Sequence, residues 1–328
     1  MRLLGSSRRA GMILEVKDLK KYFPVKRGLM RLNAGYVKAV DGVTFSIGKG
    51  ETVGLVGESG SGKTTVGKCI VRLLSPTGGS ILFDNTDIAG LRPKGLKTYR
   101  KKMQIVFQDP FSSLNPRMTV SDIVGEGLAI MRESGREKRV SELLETVGLS
   151  AGDGSRYPHE FSGGQRQRIG IARALAVGPS FIVCDEPVSA LDVSIQAQII
   201  NLLEELQAKF SLSYLFIAHD LSVVRHIADR ILVMYVGKVM EEAPTEELFA
   251  NPLHPYTKAL FSSIPSLDPA NRRGLNPIPG EPPSPVEPPP GCRFASRCPH
   301  TTAQCVESDI ELIEVSGNHR VRCVLYRK

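Results

Sequence analysis

Short apolar runs and amphipathic stretches divide most of the chain into three successive regions. Residues 12–90 carry short β-branched runs typical of strands, and residues 109–160 replace them with apolar positions at helical spacing. Residues 162–250 return to alternating helices and strands, the pattern of a parallel sheet with crossover helices. The pattern predicts an α/β core with a β-rich edge and an inserted helical subdomain of about residues 109–175.

The C-terminal part of the chain has a different composition. Ten prolines lie between Pro265 and Pro290, and such a run predicts an extended, semi-rigid linker over residues 265–291. The linker would join a main domain, residues 12–264, to a small cysteine-bearing appendage, residues 292–328.

Composition and charge narrow the class of protein. Of the 328 residues, 41% are hydrophobic, which is enough for one large core. The longest apolar runs are strand-sized, and the basic first eleven residues lack the apolar stretch of a signal peptide. We therefore expect a cytoplasmic protein. The net charge of +8 is compatible with nucleic acid, with an anionic membrane surface or with solvated basic loops, and we favour the last two.

The glycine-rich sequence GESGSGKT, from Gly57 to Thr64, fits the P-loop pattern G-x-x-x-x-G-K-[ST]. An apolar run at residues 52–56 precedes it and a helical stretch at residues 65–74 follows it, which is the context that the motif requires. We expect its N–H groups to bind the phosphates of ATP, with Lys63 reaching the β- and γ-phosphates and the Thr64 hydroxyl ligating Mg²⁺. The predicted nucleotide ligands of this segment are Gly57, Glu58, Ser59, Gly60, Ser61, Gly62, Lys63, Thr64 and Thr65.

Two acidic residues end an apolar run at residues 181–186. Asp185 fits a Mg²⁺ ligand at the carboxyl end of a parallel strand. Glu186 follows it directly, where a carboxylate can act as general base and polarise the attacking water. The alternative is a solvated acidic loop, but Pro187 and the stretch Ser189–Asp192 continue a functional pattern.

The run Ser162, Gly163, Gly164 and Gln165 resembles the signature motif of ABC-transporter ATPases. Further motifs follow the order of that family: Gln108 resembles the Q-loop glutamine, Ser189–Asp192 the D-loop, and His219 the switch histidine. The resemblance implies a head-to-tail dimer in which ATP lies between the P-loop of one chain and the signature motif of its partner. One chain would then supply two separate half-sites.

The resemblance also implies roles for individual residues. Glu186, His219 and Gln108 would be catalytic, and Gln108 would also be a Mg²⁺ ligand beside Thr64 and Asp185. The nucleotide contacts outside the P-loop would be Ser162, Gly163, Gly164, Gln165, Asp192 and Phe23. Ser162 would cap the helix that begins at Gly163. Phe23, or its neighbour Tyr22, would stack on adenine, although an aromatic residue there can equally belong to the core.

Two more segments resemble the ATPase subunits of oligopeptide/dipeptide ABC importers, specifically the second, F-type subunit. They are QDPFSSLNPR, which begins at Gln108, and NPLHPYT at residues 251–257. The resemblance implies ATP-driven peptide import by a peripheral subunit at the cytoplasmic face of the cell membrane. It implies as partners a second ATPase subunit, two transmembrane permease subunits and, indirectly, an extracytoplasmic peptide-binding protein, with no nucleic acid. For His254 and Tyr256 we expect ordinary helix-start and packing roles.

The appendage contains four of the six cysteines: Cys292, Cys298, Cys305 and Cys323. A reducing compartment disfavours disulfides, and the spacing lacks the C-x2–4-C pair of most zinc sites. Four thiolates in a loop-rich, proline-flanked segment suit a [4Fe–4S] cluster of structural role, which the resemblance to peptide-importer ATPases supports. Zinc and unligated thiols are the alternatives.

Four other residues are expected to have structural or solvent roles. Cys69 and Cys184 fall in a predicted helix and a predicted strand, so we expect buried small apolar side chains. His300 and His319 lie near the four cysteines, but four thiols already complete a cluster. We therefore expect both imidazoles to be solvent-exposed.

Two other functions compete with peptide import. A soluble ABC ATPase acting on nucleic acid or ribosomes is one, but the sequence has neither the long coiled-coil insertion nor the second cassette of such proteins. The nearer alternative is the same import machinery with nickel or a sugar as cargo, because the cargo is selected by the binding protein and the permease.

Overall fold

The computed structural model of the protein describes residues 11–27, 32–262 and 280–327. The strands are β1 Met12–Arg27, β2 Leu32–Gly48, β3 Thr52–Val56, β4 Gly78–Phe83, β5 Thr86–Asp87, β6 Met103–Val106, β7 Phe181–Asp185, β8 Ser213–Ile217, β9 Arg230–Tyr235, β10 Lys238–Pro244, β11 Ile313–Ser316 and β12 His319–Val321. The α-helices are α1 Lys63–Ile70, α2 Lys97–Lys102, α3 Pro110–Ser113, α4 Val120–Met131, α5 Arg136–Thr146, α6 Gly163–Leu175, α7 Val193–Phe210, α8 Leu221–Ile227, α9 Thr245–Ala250, α10 Pro255–Ser262 and α11 Ala303–Glu307. No helix in the described ranges is both long and apolar enough to cross a membrane.

The chain divides into two compact units. Unit 1 comprises Met1–Ile13, Ile47–Glu51 and Leu91–Ile217, and unit 2 comprises Leu14–Ser46, Thr52–Gly90 and Ala218–Lys328. The first ten residues of unit 1 and much of the proline-rich linker in unit 2 lie outside the described part of the chain.

Unit 1 contains three parallel strands in the order β8-β7-β6. Strands β7 and β8 are buried along their whole length, as expected for parallel strands covered on both faces. Both strands were predicted from their apolar runs, and the prediction is confirmed within one residue at each end. Cys184 in β7 is fully buried, as expected, and Asp185 ends the strand.

Helices α3 to α6 occupy the stretch between β6 and β7, which confirms the predicted helical character of this region. The apolar residues at helical spacing on α5 are buried, among them Val140, Leu143 and Leu144. Arg136 at the start of α5 pairs with Asp122 of α4 at 2.8 Å, but both side chains are partly exposed, so packing rather than this ion pair holds the two helices together.

Unit 2 contains strands in the order β11-β12-β10-β9-β3 and a separate antiparallel sheet in the order β2-β1-β4-β5. β3 pairs in parallel with β9 and is fully buried. Strands β1 and β2 have 16 and 17 residues, so the prediction of short strands in this region was wrong. The register between β1 and β4 shifts between Lys17 and Lys20, where Asp18 has φ 48°. Such a bulge lets a long strand bend.

The P-loop connects β3 to α1 through positions that only glycine fits. Gly57 has φ 147° and Gly62 has φ 104°. A Cβ atom at Gly57 would lie 2.0 Å from the Met234 carbonyl oxygen, and one at Gly62 would lie 2.1 Å from that of Ala39. Gly60 also has a positive φ of 78°, but nothing lies within 4 Å of its Cβ position. Two backbone contacts in unit 2 therefore fix the loop.

Helix α1 begins at Lys63 and ends at Ile70. The predicted helix covered residues 65–74, so the observed one starts two residues earlier and ends four residues earlier. It ends early because Arg72 adopts φ 58°, a left-handed conformation that stops a helix. Cys69 on this helix is fully buried, as expected.

Glu241 on β10 organises the C-terminal part of unit 2. Its buried carboxylate accepts hydrogen bonds from the backbone N–H groups of Leu253 (2.6 Å) and His254 (2.8 Å). It also contacts His319 Nε2 at 2.7 Å. The expectation that His319 is solvent-exposed was wrong, because this imidazole is only 1% exposed. His300 is exposed, as expected.

The described end of the proline-rich linker does not run free of the domain. The N–H of Lys38 donates to the Pro285 carbonyl at 2.9 Å, and the N–H of Glu287 donates to the Tyr36 carbonyl at 3.2 Å. Val286 forms an isolated antiparallel bridge with Val37. A short extended stretch is thus paired with β2, while residues 265–279 of the predicted linker lie outside the described residues.

We expect Glu241→Ala to lower the free energy of unfolding by about 3–5 kcal/mol, because it strands a buried imidazole and two buried N–H groups. Urea unfolding followed by circular dichroism measures the effect. Glu246→Ala is the control, since Glu246 is 78% exposed and pairs only with Arg225 in this region. Equal stability of the two variants would contradict the role of Glu241.

We expect Gly62→Ala to destabilise the protein by at least about 3 kcal/mol, since it combines a left-handed φ with a clash against backbone. Gly60→Ala adds the same methyl group without the clash and should cost about 1–2 kcal/mol. The same unfolding assay compares them, and a Gly60→Ala loss as large as that of Gly62→Ala would show that φ alone matters.

Candidate functional site

Lys63 is held against the backbone of the P-loop. Its Nζ donates to the carbonyl oxygens of Gly57 at 2.7 Å and Glu58 at 3.0 Å, and the residue is 5% exposed. Ser59 and Gly60, in the middle of the loop, are exposed. A buried ammonium below an exposed turn of N–H groups is the arrangement expected for binding phosphate.

Glu58 is also held from the C-terminal part of unit 2. Its N–H donates to the Tyr256 hydroxyl at 2.9 Å, and Arg297 Nη1 lies 3.1 and 3.2 Å from its two carboxylate oxygens. Neither contact was predicted from the sequence, which indicated only helix-start and packing roles for His254 and Tyr256. The partners are 198 and 239 positions away in the chain, so no local spacing could have indicated them.

The acidic cluster of unit 1 lies at the end of β7. Asp185 is 3% exposed, and Glu186 follows it with φ 47°, a strained conformation that is common at functional sites. Gln108 Nε2 donates to Glu186 Oε2 at 2.8 Å. The structure therefore brings two of the three predicted catalytic residues into direct contact.

The signature motif forms the N-terminus of α6, as predicted. The Ser162 hydroxyl accepts from the N–H of Gln165 at 3.3 Å, and the Gln165 side chain accepts from the N–H of Ser162 at 3.0 Å. This reciprocal pair is a capping box, which satisfies two donors at the helix start. Ser162 and Gln165 are exposed, so the capped end of the helix faces solvent in the single chain.

The D-loop packs against the same helix end. A Cβ atom at Gly163 would lie 3.4 Å from Leu191 Cδ2, and one at Gly164 would lie 2.5 Å from Ile195 Cγ2. Asp192 is the N-cap residue of α7 without a side-chain cap, and Val193 beside it is 82% exposed.

The remaining predicted nucleotide ligands lie in unit 2. Thr64 and Thr65 are in the first turn of α1, and His219 is an exposed residue just before the N-cap of α8. Phe23 is half-buried on β1 with Lys21 Nζ 4.9 Å from its ring centre. The Tyr22 hydroxyl donates to Asp41, and burial with this hydrogen bond raises the pKa of Tyr22.

The four cysteines of the appendage lie in one neighbourhood of unit 2. The N–H of Cys292 donates to the carbonyl of Cys305 at 2.7 Å. Burial raises the pKa of Cys292 to about 11, and the thiols of Cys305, Cys323 and Cys298 add to the shift. However, no three His, Cys, Asp or Glu side chains in the described ranges form a group that could hold a metal ion. The predicted [4Fe–4S] cluster therefore has no support from ligand geometry.

Two segments of the chain match families of known proteins. Residues 40–189 match the ABC transporter family, and residues 240–305 match the C-terminal region of oligopeptide/dipeptide transporters. The chain is 56% identical over 322 residues to the oligopeptide transport ATP-binding protein AppF of Bacillus subtilis, which covers 96% of this chain and 97% of that protein. It is 49% identical over 315 residues to a putative peptide import ATP-binding protein of Brucella ovis, covering 95% and 97%.

Solved structures share the fold. A nucleotide-free ATP-binding cassette from an ABC transporter aligns with a TM-score of 0.64 and 28% identity over 76% of this chain and 98% of that one. A dimeric cassette in a post-hydrolysis state with ADP and Pi aligns with a TM-score of 0.63 and 31% identity over 71% and 98%. The fold is therefore that of an ABC ATPase cassette, as predicted. Because the chain carries a P-loop and a capped signature helix and is similar to these relatives over nearly its whole length, it belongs to the family of oligopeptide-transporter ATP-binding proteins.

Proposed function

We propose that this chain hydrolyses ATP to drive the import of oligopeptides or dipeptides through an ABC transporter. The observation that carries the proposal is that one chain contains both ATP half-site motifs and the oligopeptide-transporter C-terminal region at residues 240–305. Peptide as cargo follows from the names of the relatives. Nickel or a sugar remains the alternative cargo. We also propose that the main domain covers residues 12–264, the linker residues 265–291 and the cysteine-bearing appendage residues 292–328.

The P-loop would bind the phosphates of ATP. Its N–H groups and the N-terminus of α1 supply an anion site, and Lys63 supplies the positive charge. Phe23 would stack on adenine; its half-buried ring supports this better than Tyr22, whose hydroxyl is bound to Asp41.

Mg²⁺ would be held by oxygen ligands, which is the donor type it prefers. The chain offers the Thr64 hydroxyl, the Asp185 carboxylate and the Gln108 amide oxygen. When bound, the ion would neutralise charge on the transferred phosphoryl group.

Glu186 would act as general base towards the attacking water. Its contact with Gln108, at 2.8 Å, holds the carboxylate at the end of β7, where it would polarise a water that attacks the γ-phosphate. His219 would hold the γ-phosphate. Since Gln108 begins the segment that leads into the helical subdomain, movement of that segment would change the position of Glu186.

A second ATPase subunit would complete each site. The exposed, capped start of α6 supports this, because a helix N-terminus that faces solvent can bind the phosphates of a nucleotide held by a partner chain. The resulting contacts to the partner's nucleotide would come from Ser162, Gly163, Gly164, Gln165 and Asp192. A heterodimer with a different ATPase subunit is the assembly we propose.

Two permease subunits would carry the substrate path, and the chain would bind them as a peripheral subunit at the cytoplasmic face of the membrane. Phe111, three residues after Gln108, is 59% exposed and has the Arg166 guanidinium 4.0 Å from its ring centre. An exposed aromatic next to the Q-loop is a suitable contact for a permease helix. The peptide-binding protein would act through the permease only.

The cysteine-bearing appendage would hold a structural [4Fe–4S] cluster. The support for this is chemical: four cysteines fall within one short segment, and thiolates are the ligands that such clusters take. A cluster there would contribute folding free energy to a segment poor in apolar residues. Zinc and unligated thiols are the competing states.

We expect Glu186→Gln to reduce ATP turnover at least about 100-fold, because the amide cannot accept the proton of water. Binding of MgATP should persist, so the variant accumulates as the ATP-bound dimer in gel filtration, and peptide uptake in cells should stop. Glu205→Gln, at an exposed position of α7, is the matched control. Normal turnover of Glu186→Gln would refute its assigned role.

We expect Cys323→Ala to abolish bound iron and sulfide in anaerobically purified protein. Cys69→Ala is the matched control, since it removes a buried thiol outside the appendage. Iron and sulfide assays with a visible spectrum measure the outcome. Stoichiometric zinc, or no metal in the unmodified chain, would contradict the cluster and favour one of the other two states.

A further inference from the structure

We propose that Tyr256 and Arg297 are positioning residues for nucleotide binding, which act by holding Glu58 and thereby the phosphate-binding conformation of the P-loop. The proposal rests on the proposed role of the P-loop as the ATP site. It gives the C-terminal region a part in nucleotide binding beyond its place in the fold.

Glu58 is the P-loop residue that both Tyr256 and Arg297 contact. Its carbonyl oxygen receives Lys63 Nζ at 3.0 Å, its N–H donates to Tyr256 at 2.9 Å, and its carboxylate faces Arg297. The carbonyl and N–H belong to the two peptide planes on either side of one Cα. Fixing the N–H and the side chain therefore limits the orientation of the carbonyl that positions Lys63.

Tyr256 is a rigid anchor. It is fully buried in the first turn of α10, and its own N–H donates to His254 Nδ1 at 3.0 Å. Burial lowers the pKa of His254 to about 4, which keeps this imidazole neutral and able to accept. The Tyr256 ring packs on Tyr235 with ring centres 4.5 Å apart and on Phe294 with centres 5.4 Å apart. The hydroxyl that meets the P-loop thus has little freedom to move.

Arg297 is the second anchor and comes from the cysteine-bearing segment. Its Nη1 reaches both carboxylate oxygens of Glu58 and donates to the Tyr235 hydroxyl at 3.0 Å. Arg297 is only 7% exposed and the Glu58 side chain is 25% exposed, so the ion pair is partly shielded from salt and solvent. Phe294, three residues earlier, packs edge-on against Tyr235 at 5.5 Å and holds this segment in place.

The anchors matter because the loop has many glycines. Gly57, Gly60 and Gly62 give the free backbone many conformations, and ordering it on nucleotide binding costs entropy. A loop held in the binding conformation beforehand avoids part of that cost, which appears as tighter binding. Loss of one anchor should therefore weaken nucleotide binding more than it reduces the rate of the chemical step.

The test is the affinity of the purified full-length chain for MgADP, measured by isothermal titration calorimetry. Tyr256→Phe removes one hydroxyl and Arg297→Gln removes the charge, and each should weaken binding on the order of 3- to 10-fold. Tyr326→Phe is the matched control, because its hydroxyl donates to the Leu253 carbonyl at 3.1 Å in the same region without touching the P-loop. It should change the affinity by less than about twofold.

Two further measurements separate positioning from general stability. In the assembled transporter, the KM for ATP should rise by the same factor while kcat changes by less than about twofold. Arg297→Gln should have no additional effect in a Glu58→Gln background, since the partner is already lost. If Tyr256→Phe or Arg297→Gln fails to fold, Tyr235→Phe removes the second hydrogen bond of Arg297 with the ring retained, and should weaken binding as well.

Wild-type affinity in folded Tyr256→Phe and Arg297→Gln would overturn the proposal. A fall in kcat at unchanged KM and affinity would also overturn it and would indicate a structural role. Lys63→Ala tests the assignment on which the proposal rests: unchanged MgADP binding in that variant would mean that the P-loop is not the nucleotide site.

Discussion

The close approach of the P-loop backbone to its neighbours is the constraint on which the nucleotide half-site of unit 2 depends. Gly57 and Gly62 lie so near the carbonyl groups of Met234 and Ala39 that any side chain would displace them. The loop is therefore fixed at both ends by its close approach to backbone. Because its ends are fixed, its exposed middle can present N–H groups in one arrangement to a phosphate group.

Two carboxylates connect the C-terminal part of unit 2 to the P-loop: that of Glu241 is fully buried and that of Glu58 is 25% exposed. Glu241 accepts a hydrogen bond from the N–H of His254, at the start of the segment that contains Tyr256, and contacts His319 of β12. Glu58 then receives Tyr256 and Arg297 at the P-loop itself. A buried carboxylate such as that of Glu241 is costly unless every oxygen is paired, so its contacts are tightly specified. The region that matches oligopeptide/dipeptide transporters, residues 240–305, is therefore built onto the P-loop.

Unit 1 carries the other half of the chemistry. The strained backbone of Glu186, its contact with Gln108 and the capped start of α6 are all built from residues of unit 1 itself. Groups that the fold holds in place in this way need little rearrangement during a reaction, which lowers the cost of reaching a transition state.

Much of the fold and of the candidate site was encoded by residues close together in the sequence. The P-loop pattern, the apolar runs of β3 and β7, and the cap of α6 at Ser162 depend on residues within a few positions of one another, so they could be predicted from the sequence. The burial of His319, the pairing of Val286 with Val37, and the hold of Tyr256 and Arg297 on Glu58 join positions far apart in the chain. Only the tertiary structure decided these, because a polar side chain has no periodic signal of its own and its partner is set by the packing of the elements around it.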